Sequence, residues 1–278
     1  MREDTPCTEE RLVREFRALG IQEGETLLVQ SSLRSLGPVQ GGARTVVDAL
    51  RTVLGAGGTL VAYTATPENS LTSRAHLAAV RDLDAAARTQ FVRDMPGFDP
   101  ASTPSSPTVG RLAEAIRTTE GARRSAHPQT SFAALGPKAG QITESHPPDC
   151  HLGDRSPLGR LYELDARGLL IGIPNWLFTP YHLADCRVPG APTKRYDCAV
   201  LDQEGRRSWQ SFEDVDLDDV HLPELGDAVQ REVKLIEGWV GEAECWLIPL
   251  VPAVNAATRW LTDRPAAVHD FMRDMSRE

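Results

Sequence analysis

An α/β fold, with a mixed, largely parallel central sheet, flanking helices and a C-terminal α+β portion packed on it, follows from three stretches of this sequence. The first runs from Glu25 to Tyr63: an apolar strand, a glycine turn, a helix, a second glycine turn and another apolar strand. That order is the signature of parallel strands joined by a crossover helix. The second is Leu169-Leu170-Ile171-Gly172-Ile173, a run apolar on both sides, as a strand covered on both faces must be. The third is Thr179 to Asp185, where Thr179 can cap a helix with Pro180 at its first position.

The remaining elements follow in order. Thr8 precedes helically spaced Leu12, Val13, Phe16 and Leu19, and Gly20 closes that helix. The strand Glu25–Gln30 leads into Ser31-Ser32-Leu33-Arg34-Ser35-Leu36-Gly37, then Gly41-Gly42 and a helix from Thr45 to Leu54. The strand Thr59–Tyr63 follows. Residues 64–109 hold one expected helix, Leu77–Phe91, in a proline- and serine-rich stretch of the kind that forms functional loops or lids. A helix is expected over Val109–Arg117, a strand over Thr130–Gly136, and short helices over Lys138–Glu144 and Ser156–Leu164. Beyond Tyr196, Cys198–Leu201 and Ser208–Phe212 read as a hairpin around Gln203–Arg206. An acidic run over 213–219, a helix Leu225–Ile236, a strand Cys245–Leu250 and a helix from Asn255 complete the chain. No repeat and no clean linker interrupts it, so residues 1–278 read as one domain.

Composition narrows the partners. With 41% apolar and 25% charged residues, the 278-residue chain has the make-up of a globular protein. No apolar run approaches the ~20 residues of a membrane helix, and the N-terminus is charged, without a signal segment. Five scattered cysteines, without C-x-x-C spacing, read as reduced thiols of a cytoplasmic protein rather than a disulfide framework or a metal site. The net charge of −9 argues against nucleic acid and suits a cationic ligand.

Two features point to chemistry. His182 and Asp185 lie three apart on one helix face, within mutual reach, at the strand-to-helix end of a sheet where a general base can be built. A histidine that merely neighbours an aspartate is the plainer alternative. The Gly41-Gly42 turn before a helix can expose backbone N–H groups to an anion, aided by about half a positive charge at the helix start, although such a pair is often only a turn. Arg123-Arg124-Ser125 can bind phosphate or stay solvated.

Taken together, these residues resemble the aminoglycoside 3-N-acetyltransferase family, the antibiotic acetyltransferases outside the GNAT fold. The blocks that carry the likeness are Ser31-Ser32-Leu33-x-Ser35-Leu36-Gly37, Gly41-Gly42-Ala43-x-Thr45-Val46, Phe98-Asp99-Pro100 and Arg123-Arg124-Ser125-x-His127-Pro128. They continue in Ser131-Phe132-Ala133-Ala134, Ser156-Pro157-Leu158, Thr179 through His182 to Asp185, Lys194-Arg195 and Asp214-Val215-Asp216. The resemblance implies acetyl coenzyme A as donor and no metal. Contacts to coenzyme A would come from Ser31, Ser32, Leu33, Ser35, Val39, Gly42, Thr45, Ser125 and Phe132. It places the base on His182, with Asp185 where relatives usually have Glu, and Thr179 beside the thioester. Asp99, Asp214 and Asp216 are candidates for the amines of a cationic acceptor, with Tyr63 packing on a ring. The chain departs from many relatives in having Gln30 in place of His, bulky apolar residues in loop 175–178, and few acidic residues after the second strand. The implied reaction is acetylation of the 3-amino group of a 2-deoxystreptamine aminoglycoside, by a monomer or homodimer. A different amine acceptor, or a coenzyme-A-binding protein without catalysis, stands as the alternative.

Overall fold

A computed structural model describes residues 6–263; residues 1–5 and 264–278, the two ends of the expected 1–278 domain, lie outside the described residues. The strands are β1 (Thr26–Ser31), β2 (Thr59–Tyr63), β3 (Arg123–Arg124), β4 (Phe132–Leu135), β5 (Arg167–Ile171), β6 (Thr193–Leu201), β7 (Arg207–Val215), β8 (Ile236–Val240) and β9 (Ala243–Pro249). The helices are α1 (Glu9–Leu19), α2 (Ala43–Leu54), α3 (Arg74–Val80), α4 (Ala85–Asp94), α5 (Arg111–Arg117), α6 (Ala139–Thr143), α7 (Pro157–Glu163), α8 (Tyr181–Arg187), α9 (Leu222–Glu232) and α10 (Leu250–Asp263).

Seven strands form one sheet in the order β3-β4-β2-β1-β5-β9-β8. Parallel pairing is confined to β2-β1-β5 at the centre, and every other pairing in the sheet is antiparallel. The expected mixed α/β sheet is therefore present, with its parallel part limited to strands joined by helical crossovers, as that geometry demands. Each central strand feeds two cores. Leu27, Val29, Leu60, Ala62, Leu169 and Ile171 face α1, α2 and α5. Leu28, Val61 and Leu170 point the other way, toward residues of α7, α8, α9 and α10. Side chains alternate across a strand, so a sheet covered on both faces needs unbroken apolar strands, which is what the sequence shows.

Local signals behave as their chemistry dictates. Thr8 accepts from Arg11 N to cap α1, Glu9 and Glu10 sit in its first turn, and Gly20 ends it at φ 103°. Four expectations need correction. The helix expected over 77–91 is two helices, because Asp84 accepts from Ala87 N and starts α4 anew. The helix expected over 225–236 is α9, which starts at Leu222 with a proline in its first turn and gives way at Val233 to edge strand β8. The last helix begins at Leu250, directly after β9, rather than at Asn255. The hairpin β6–β7 is longer than expected, takes in the start of the acidic run, and forms its own two-stranded sheet. Segment 64–109 is stitched to this hairpin rather than left loose. Leu71 N donates to Asp197 O, Phe98 N to Ala199 O and Leu201 N to Phe98 O, and Arg207 reaches the Val92 and Met95 carbonyls. No helix among the described residues is long and apolar enough to cross a membrane.

Candidate active site

β2 and β5 lie on opposite sides of β1, and the chain leaves β1 and β5 toward opposite faces, so a crevice opens at their carboxyl ends. It is a cavity of about 640 Å³. Gln30 and Ser31 come to its wall from β1, Tyr63 from β2, Thr179 and His182 from the segment after β5, and Lys194 and Tyr196 from the hairpin.

The chain is held firmly where it carries His182. Gly172 turns it at φ 62°, where a Cβ would lie 2.2 Å from Ser35 Cβ, so only glycine ends β5 in this way. The bulky loop 175–178 is an anchor: Trp176 packs on α9 at Gly226, Asn175 Nδ2 donates to Gln230 Oε1 at 2.7 Å, and the Phe178 ring meets Tyr181 edge-on at 5.3 Å. Gln30 uses both ends of its amide, donating to Leu177 O and accepting from Thr179 N, each at 3.0 Å. Thr179 does not cap α8 with its side chain. Pro180 is already helical there, and Thr179 instead offers its carbonyl to His182 N at 3.0 Å.

On α8, His182 Nδ1 lies 2.9 Å from Asp185 Oδ2, and Nε2 lies 3.1 Å from Asp219 Oδ1. Aspartate is one methylene shorter than glutamate, yet it closes this pair. The other oxygen of Asp185 is 2.9 Å from His221 Nε2, an ion-pair contact without hydrogen-bond alignment, and Asp218 stands 3.7 Å from His221 Nδ1. Burial opposes charge on His182, but the hydrogen bonds and charges of Asp185 and Asp219 outweigh it and push the imidazole up to about 9. His221 is likewise pushed up to about 9, burial being overcome by Asp185 and Asp218. Burial raises Asp185, but the two histidines hold it down at about 2. The unit can therefore store a proton on an imidazole nitrogen at the cavity wall and pass it to a neighbour.

The other expected residues separate into three groups. Ser31, Tyr63, Thr179 and His182 line the cavity, and the charge of Asp219, added to burial, raises the Tyr63 hydroxyl. Ser32, Leu33, Ser35, Val39, Gly42 and Thr45 follow β1 into the start of α2. Ser35 Oγ bonds Ser32 Oγ at 3.0 Å. Gly42 (φ 64°) precedes α2 without a side-chain cap, and a Cβ placed on it would meet nothing within 4 Å. Gly41 must be glycine, because its Cβ would strike Thr45 Oγ1 at 2.4 Å. The helix start is thus bare and open, a form suited to an anion.

The third group lies off the wall. Ser125 and Phe132 are fully buried, and the Ser125 hydroxyl is already bonded to His146 Nδ1 and Phe132 N, so neither offers a surface to coenzyme A. Arg124 is no phosphate ligand either: it donates to Thr64 O, Thr103 O and Ser131 Oγ and lies over Phe98. Asp99 caps its own loop through Ala101 N and Ser102 N, Asp214 holds the backbone and ring of His151, and Asp216 pairs with Lys194. Burial raises the Cys186 thiol strongly and so favours its protonated form. Asp219 and His221 are the site residues that sequence reasoning missed; the one available signal was the acidic run, which identified the region but not the residue. Gln30 stood out only as a departure from relatives, and its role in tying β1 to the loop before α8 was not foreseen.

Residues 28–262 match the family model described as aminoglycoside 3-N-acetyltransferase. The chain is 32% identical to the aminoglycoside N(3')-acetyltransferase-like protein YokD of Bacillus subtilis, over 92% of each chain. The crystal structure of YokD superposes with a TM-score of 0.87 over 94% of this chain and 96% of YokD. An aminoglycoside N(3)-acetyltransferase III from Salmonella is 35% identical over 91% of this chain and 97% of its own. The structure of AAC-IIIb in binary complex with CoASH aligns with a TM-score of 0.79 at 28% identity, over 94% and 98% of the two chains. An acyltransferase by these matches, the chain belongs to the aminoglycoside 3-N-acetyltransferase family.

Proposed function

We propose that this protein transfers acetyl from acetyl coenzyme A to the 3-amino group of a 2-deoxystreptamine aminoglycoside, with His182 as general base and antibiotic resistance as the consequence. The observation that carries the reading is His182 Nε2 at the cavity wall, backed on Nδ1 by Asp185 and facing Asp219. The donor supplies an acetyl group activated as a thioester. The bare start of α2 after Gly41-Gly42 suits its phosphates, and Ser31 opens the way from there to the cavity; the relative solved with CoASH supports this donor.

An acceptor ammonium can take the place of the imidazole N–H on Asp219. A cation there lowers the affinity of His182 for its proton, which leaves to solvent and frees Nε2 to act as base. Nε2 then accepts a proton from the neutral reacting amine as its nitrogen attacks the acetyl carbonyl and the C–S bond breaks, and returns that proton to the departing thiolate. Asp185 holds the ring in position and stabilises its charged form, while His221 occupies the second oxygen of Asp185. Thr179, on the same wall as His182, stabilises the developing oxyanion.

The test is thiol release from acetyl coenzyme A with aminoglycosides that have or lack a 3-amino group. Release confined to the former supports the reading, and His182→Ala should lower turnover by about 10²–10⁴-fold with coenzyme A binding retained. Equal turnover in the variant would remove His182 from the mechanism. Release without regard to the 3-amino group would assign a different amine.

A further inference from the structure

An acceptor rich in ammonium groups calls for free carboxylates, but the wall of this cavity is arranged otherwise. Among the described residues Asp219 is the one Asp or Glu on it, and besides His182 it shares the wall with Arg74 and Lys194. Arg74, in the first turn of α3, approaches Asp219 at 3.5 Å with its side chain 61% exposed. Lys194, on β6, pairs with Asp216 and lies 5.0 Å above the Tyr196 ring. Two further carboxylates near the hairpin are committed as well, Asp214 to His151 and Asp218 to Val220 N and His221. The wall also carries Tyr63, Tyr196, Leu217 and Leu222, together with the neutral polar side chains of Thr72, Ser73, Gln129 and Thr130.

We propose that Arg74 and Lys194 are specificity-determining residues, which compete with the ammonium groups of the acceptor and so favour acceptors with few charges beyond the reacting amine. The proposal rests on the reading above that an amine enters this cavity. An amine that reaches Asp219 must displace Arg74 or share the carboxylate with it. Each further ammonium in the cavity meets Arg74 or Lys194 within the Debye length, about 8–10 Å near physiological salt. Discrimination of this kind comes from a repulsive element, not from a better contact. Both cations lie outside the core and can be removed without disturbing it: Arg74 is largely solvated, and the Lys194 ammonium is held by Asp216 and the Tyr196 face at the cavity wall.

The test uses full-length protein with coenzyme A, and the variants Arg74→Gln, Lys194→Gln and the double substitution. Binding of 3-amino aminoglycosides with two to five further amines is measured by calorimetry at low and at moderate salt, alongside KM and kcat. Each single substitution should tighten binding of the most highly charged acceptors by about two- to five-fold, the scale of an exposed ion pair. Acceptors with the fewest amines should change little, and the effect should shrink as salt rises. Equal change across the series, or none, would overturn the proposal. Should the wild type acetylate no aminoglycoside, the proposed function fails, yet the binding order still decides: tighter polyamine binding by the double variant supports the inference, and indifference overturns it.

Discussion

Two histidines of the same cavity wall, His182 and His151, are each paired with an aspartate at nearly the same separation, and they have opposite electrostatics. His182 and Asp185 are 2.9 Å apart, and His151 and Asp214 are 2.8 Å apart. His182 is pushed up to about 9, whereas His151 is lowered, burial outweighing Asp214. The difference lies on the second ring nitrogen and in the surroundings. His182 faces another carboxylate, Asp219, across 3.1 Å. His151 faces the neutral amide of Gln129 at 2.7 Å, packs between His127 and Tyr196, and has the Lys194 cation nearby. A histidine beside a carboxylate therefore does not by itself make a base. One partner orients the ring, and the group on the far nitrogen decides whether it holds a proton.

The substitution that should break this contrast most is His182→Ala, given above; its counterpart His151→Ala should leave the titrating limb of the pH–rate profile in place. Its cost falls on stability, about 1–3 kcal/mol, because Asp214 and Gln129 lose a buried partner, and urea unfolding would read it. Asp185→Asn should lower kcat by about 10–100-fold and move the limb toward lower pH, since the orienting and charge-stabilising carboxylate is gone. An unchanged limb would show that Asp185 only packs.

Stability should report the same asymmetry with opposite signs. His182 and His221, raised in the fold, stabilise it fully below their ordinary value of about 6.5, and that contribution fades as pH rises through about 9. His127, His146 and His151 are lowered, chiefly by burial, and His146 to about 4. The unfolded chain binds protons that these three refuse, so stability should fall as pH drops from about 6.5 toward 4. Melting temperatures across pH 4–10 would check both limbs. A smaller effect is expected of Gln30→Ala. Two hydrogen bonds of about 1 kcal/mol each tie β1 to the loop before α8, so turnover should fall by about ten-fold with little change in coenzyme A affinity.

The extent to which this was legible in the sequence follows the range of the interactions. The helix face that pairs His182 with Asp185 is set by spacing alone, and the Gly41-Gly42 turn and the apolar strands are equally local. Asp219 and His221 reach the dyad across 37 residues and a hairpin, and no period in the sequence encodes that approach. Asp214 and Asp216 stood out beside them in the same acidic run, but the alternation of β7 and the position of Lys194 commit both elsewhere. Ser125 and Phe132 matched the resemblance in type, yet burial withholds them from any ligand. Asp84 was missed as a cap because Leu77–Phe91 still looks helical when read as one piece.

The central claim is that Asp219 and Asp185 together set the proton affinity of His182. It is tested most directly by the pH dependence of kcat/KM, which reports the free enzyme, for wild type and Asp219→Asn with one acceptor, whose own amine titrates equally in both. The account predicts a limb that rises toward about 9 in the wild type and moves to lower pH in the variant. Superimposable profiles would contradict it.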